Sequence, residues 1–180
     1  MTLEAKAAIL AILAIGLAVV FQAWPQPKTS INERVVRRFR VMLRVSLSSV
    51  ALALIIVGVV SGTLRSHLVQ IAPLVLLLVL PQRGQALIPV AAAAVFSWWL
   101  VTMAGIWLFL LGLSRFLTGR FSATEIVLTL VIGAASVIGL SASGRAGGIP
   151  LSKRLPTIVL AAGLQSLALW LSYQPIVAGR

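Results

Sequence analysis

Chemistry in a protein starts with groups that can take, hold or release charge, and this chain has few of them. It carries one His, three Glu, no Asp and no Cys. That removes thiol nucleophiles, disulfides, iron–sulfur clusters and thiolate metal sites, and leaves little for acid–base catalysis. Glu33 and Glu125 each stand three residues after a serine, in Ser30-Ile31-Asn32-Glu33 and Ser122-Ala123-Thr124-Glu125. Both match the helix-capping box, which accounts for them without catalysis. His67 lies two residues from Arg65 in what reads as a short outer loop. With Gln70 nearby, the three could form a path for a neutral or anionic solute. Haem pairs and metal oxygenase sites need more His and carboxylate than this.

Two richer groupings stand out. Arg34, Arg37, Arg38, Arg40 and Arg44 alternate with Val35, Val36, Phe39 and Met42 at helical spacing. This predicts an amphipathic helix over 31–44, lying on the inner leaflet and bending into the next span. It would bind anionic lipids or a partner, with no role in nucleic-acid binding because the bilayer itself explains the charge. The second grouping is Trp98, Trp99, Met103 and Trp107. Trp99, Met103 and Trp107 recur at i, i+4 and i+8, a stripe expected to face a partner, an ordered lipid or a quinone or pigment rather than bulk acyl chains. No cofactor is required by any motif. Ser141-Ala142-Ser143-Gly144 resembles the Gly-x-Ser-Gly of intramembrane serine proteases over four residues, but no span offers the partner histidine, so the match reads as chance. The clustered aspartates of lipid phosphotransferases and the P-loop are both missing.

The elements that must carry these residues follow from composition. Of 180 residues, 60% are apolar and 10% charged, with a formal charge of +12 and a mean hydropathy of +1.09. Soluble folds and disordered chains both fall outside that range. The class is all-α and polytopic, a single membrane domain over 1–180. A spanning helix needs roughly 20 apolar residues. Uncharged runs predict about six spans near 7–24, 45–63, 68–80, 89–113, 126–143 and 155–173. The first is read as retained rather than cleaved, since Glu4 accompanies Lys6 and cleavage after Ala23 would put bulky Phe21 at the −3 position. The third is short and interrupted by Pro73 and Pro81. No ionisable residue falls inside these six spans, which disfavours proton relays and ion-coupled transport. Small pairs at Ala14/Ala18, Ala135/Gly139 and Ala162/Ser166 suit close helix packing, and Gln70 with Gln165 suits a hydrogen bond between spans three and six.

Charge counting orients the chain. The connection with Lys28 and the five arginines is placed in the cytoplasm, and alternation then puts ten basic residues inside against five outside, with both termini outside. The composition suggests a bacterial inner membrane. The expected function is a non-catalytic membrane subunit or accessory factor of a larger complex, associated with other membrane proteins and anionic lipid. The alternative is a small channel or transporter for a neutral or anionic solute.

Overall fold

The computed structural model describes residues 3–23, 33–80, 87–114, 121–144 and 149–178. Among them the regular structure is entirely helical: α1 (Leu3–Ala23), α2 (Glu33–Val60), α3 (Leu64–Gln70), α4 (Ala72–Val79), α5 (Leu87–Leu110), α6 (Ala123–Ser143), α7 (Leu151–Ser172) and α8 (Pro175–Ala178). Four stretches are long and apolar enough to cross a membrane, namely Val36–Val60 of α2, and α5, α6 and α7. The chain is therefore an all-helical, membrane-embedded protein. A shorter apolar stretch, Ala8–Val20, lies in α1.

Helix α2 joins the expected basic helix over 31–44 and the span after it into a single element. Residues 33–60 form one uninterrupted helix of 28 residues. Between Arg40 and Leu47 the sequence offers neither Gly nor Pro to break it. The buried face begins within the basic segment, at Leu43, and continues through Ser46, Leu47 and Val50, so the same packing stripe holds both halves. The cap at Ser30 lies outside the described residues.

The end of α2 is also not where hydropathy alone puts it. The Gly62 N–H donates to the Val59 carbonyl at 3.2 Å and the Thr63 N–H to the Gly58 carbonyl at 2.8 Å. With Gly62 at φ +67°, this is a Schellman stop, which needs a residue tolerant of the left-handed region. Gly112, at φ +73°, ends α5 in the same way. Because the chain turns so early, α3 starts at Leu64. Arg65 and His67 therefore sit on a helix, not in a loop.

Span three is broken into α3 and α4 at Ile71, with Pro73 in the first turn of α4. Proline has no N–H to give back to the preceding turn, so the ladder cannot run through. Helix α6 opens as predicted: the Ser122 hydroxyl accepts from the Glu125 N–H, and the Glu125 carboxylate accepts from the Ser122 N–H at 2.7 Å. Helix α7 begins at Leu151, four residues earlier than expected, so Lys153 and Arg154 lie in its first turn.

At the centre is α5, which packs against α1, α4, α6 and α7, while α2 packs against α3, α4 and α6. Every residue from Ala92 to Trp99 is buried. A helix apolar on all sides belongs inside protein, and three consecutive alanines, Ala92–Ala94, let neighbours come close. The outward surfaces are apolar as well, with Ile12, Leu52, Val59 and Leu160 more than half exposed, as suits helices facing acyl chains rather than water.

Candidate functional site

The tryptophan stripe turns inward. Trp98, Trp99 and Met103 are buried and Trp107 is half-buried, all among residues of this chain. The Trp107 ring lies over Gly133, where an added Cβ would meet the ring at 2.6 Å, and Phe96 lies so close to Gly139 that a Cβ there would clash with the outer edge of its ring. These side chains therefore form the seam between α5 and α6 and the bundle interior. The expected open lipid or pigment groove along Trp99 and Met103 is filled by the protein's own helices. The numbering of the contacts runs in opposite senses, so α5 and α6 are antiparallel.

Two indole N–H groups in this interior, those of Trp98 and Trp107, are matched by hydroxyls. Trp107 Nε1 donates to Thr129 Oγ1 at 3.0 Å, and that hydroxyl donates to the Ile126 carbonyl at 2.7 Å. Trp98 Nε1 donates to Ser166 Oγ at 3.1 Å, and Ser166 donates to the Ala162 carbonyl at 2.9 Å. In each case a hydroxyl bonded back onto its own helix offers its remaining lone pair to α5. Trp98 and Trp99 meet edge to face at 5.1 Å between ring centres. Trp99 Nε1, Ser97 Oγ, Ser136 Oγ and Gln165 Oε1 are buried without a hydrogen-bond partner among the described residues.

A second polar cluster joins α3 to α7. Gln70 Nε2 donates to Ser172 Oγ at 2.9 Å, Gln165 Nε2 donates to the Gln70 carbonyl at 3.0 Å, and Ser66 Oγ donates to the Ser172 carbonyl at 2.9 Å. The expected pairing of Gln70 with Gln165 is present, made through the Gln70 backbone. Of the three residues of the expected solute path, all on the same two-turn helix, Arg65 is exposed, His67 half-buried and Gln70 buried. His67 Nδ1 lies 3.1 Å from both the hydroxyl and the carbonyl of Thr63. His67 and Leu64 pack so close to Gly58 that a Cβ there would approach each at 3.0 Å.

The small pairs are spent internally. Ala14, Ala18, Ala135, Gly139 and Ala162 are buried, and Ser166 holds Trp98. Three other mid-helix glycines, Gly16, Gly105 and Gly163, have nothing within 4 Å of a would-be Cβ.

At the basic end of α2, Arg37, Arg38, Arg40 and Arg44 are exposed, and Arg37, Arg38, Val41 and Met42 line an open concavity. Arg34 belongs to α2, but its side chain lies outside the described residues. Among the described residues no three His, Cys, Asp or Glu side chains gather as a metal site would require.

No family model, curated protein or solved structure matches this chain.

Sequence reasoning missed Ser66, Thr129 and Ser172, and read Ser166 only as a small packing residue, not as the acceptor for Trp98. Isolated hydroxyls in apolar helices carry no pattern that separates those bonded only to their own helix from those that also hold a neighbour.

Proposed function

We propose that the chain is a non-catalytic integral membrane subunit or accessory factor that packs against other membrane proteins. Gly16, Gly105 and Gly163 carry this reading. A helix-interior glycine costs about 1 kcal/mol relative to Ala, and within this chain Gly133 and Gly139 meet that cost by admitting aromatic rings. The three outward glycines receive nothing from the chain itself, and flat small-residue surfaces are where membrane helices approach one another closely. The scarcity of titratable groups supports a structural role over an enzymatic one.

In the arrangement we favour, α1 and the α3–α4 pair also cross, giving six spans. Residues 24–32 and the basic end of α2 then face the cytoplasm of a bacterial cell, and both termini lie outside. Mild solubilisation, sizing and mass spectrometry test the function. Other membrane proteins should co-purify in fixed ratio, and Gly105→Leu with Gly163→Leu should release them while the chain itself stays folded. A clean homo-oligomer or monomer would sink the subunit reading.

The second reading, a small channel or transporter for a neutral or anionic solute, draws on the buried and unmatched Ser97, Ser136, Trp99 and Gln165. Buried polar atoms normally find partners, and a water or neutral solute passing between helices would supply them.

A further inference from the structure

We propose that the outward face of α2 at its basic end binds one anionic phospholipid, with Arg37 and Arg38 holding the phosphate and an acyl chain lying along Val41, Val45 and Leu52. The site stands independently of any partner subunit.

Successive residues turn by about 100° around a helix, so the buried stripe of Leu43, Ser46, Leu47 and Val50 leaves the opposite side of α2 free. On that side the order of side chains is basic, then apolar. Arg37 and Arg38 are exposed there, and Val41, Val45, Leu52, Ile56 and Val59 continue the same exposed face, while the exposed Arg40 and Arg44 lie nearer its edge. Continuity of the helix is what makes this one surface. Had the basic segment been a separate helix lying flat, its arginines and the span's outer face would point in different directions.

Charge selects the occupant. Five arginines lie between 34 and 44, while the whole chain holds only three carboxylates, and Glu125 is already engaged by Ser122. Three carboxylates cannot neutralise all of these arginines, so the exposed guanidinium groups at this end are open to an external anion. Guanidinium presents a planar fork matched to phosphate oxygens, and two of them border one concavity with the apolar Val41 and Met42. A free anion would use the arginines and leave the apolar half unused. A phospholipid uses both. From Val41 to Leu52 the helix rises about 16 Å, close to half of a hydrocarbon core of about 30 Å, which is the depth of one leaflet's acyl chains.

The test uses the full chain purified in a neutral detergent and offered equal amounts of phosphatidylglycerol and phosphatidylcholine, with bound lipid counted by native mass spectrometry. One phosphatidylglycerol should be retained in clear preference to phosphatidylcholine. Arg37→Gln with Arg38→Gln should weaken that retention about fivefold per guanidinium, or about 25-fold for the pair. Lys153→Gln, an exposed cation on α7, should leave it unchanged. Val41→Ser with Val45→Ser should weaken it too, and inorganic phosphate should not displace the lipid. Should the arginine variant fail to fold, the parent's lipid preference and the valine variant decide alone. Equal retention of both lipids, full displacement by inorganic phosphate, or a preference that survives loss of both arginines would overturn the proposal. So would an acidic protein bound through these arginines in a chain showing no lipid preference.

Discussion

The α5–α6 seam and the α3–α7 corner hold helices together by different means. Along the seam, glycines on α6 receive the rings of Phe96 and Trp107, so the contact is made by shape. At the corner, Ser66, Gln70, Gln165 and Ser172 exchange hydrogen bonds, and the contact is made by polarity. Lipid tails compete poorly for a shaped glycine pocket but not at all for an amide, so the two devices differ in tolerance. Shape fails when a single atom is added. Polarity fails only when a partner is removed, and the groups left behind can find others.

The largest effect should therefore come from the seam. Gly139→Leu puts a side chain where Phe96 already lies and should cost about 3 kcal/mol or more, seen as a large fall in melting temperature in detergent and restored in part by Phe96→Ala. A melting temperature unchanged by Gly139→Leu would break the distinction.

At the corner, Gln70→Leu removes the donor to Ser172 and should cost about 1 kcal/mol. Gln165→Leu should cost less than that, because it deletes the unmatched Oε1 together with the bond to Gln70. Thermal unfolding of the two variants side by side checks the order, and the reverse order would mean that Gln165 Oε1 has a partner.

Thr129→Val keeps the Trp107 indole over Gly133 and deletes the hydroxyl that accepts its N–H, so a loss of about 0.6 kcal/mol is expected. A larger loss would show that polarity also governs the seam. The smallest effect belongs to the outward faces. Gly163→Ala meets nothing and should leave the isolated chain as stable as before or more stable by up to about 1 kcal/mol. Destabilisation measured on the isolated chain would mean that this face is already covered.

Much of this was readable from the residues. Ser122 and Glu125 announce the start of α6 because a capping box is local, needing only four consecutive residues. The pairs Ala14/Ala18 and Ala135/Gly139 mark packed faces because small residues serve little else in lipid. Gln70 and Gln165 found one another because two lone amides in an apolar medium have few other choices.

The direction of the tryptophans was not readable. In water, an apolar stripe must face inward, but in a membrane the outside is apolar too, and Trp99 gains similar solvation on either side. Hydropathy is equally blind to the continuity of α2, since charge marks where lipid ends and not where a helix does. Gly62 could have given the early stop of α2, as a glycine just after Val59-Val60-Ser61 fits a left-handed cap.

That uninterrupted helix also has a mechanical meaning. At 28 residues it is a rod about 42 Å long, beyond what a hydrocarbon core of about 30 Å requires. Its far end is pinned where Gly58 meets His67 and Leu64. Its middle is held as well, by the buried stripe from Leu43 to Val50, so the length free to bend is the short basic stretch before Leu43. From Leu43 to Arg37 the helix rises about 9 Å, and a bend of about 10° there would move Arg37 by only about 1.6 Å. Whatever grips the arginines therefore meets a nearly fixed handle, and the pull it exerts is passed on to the packed part of α2.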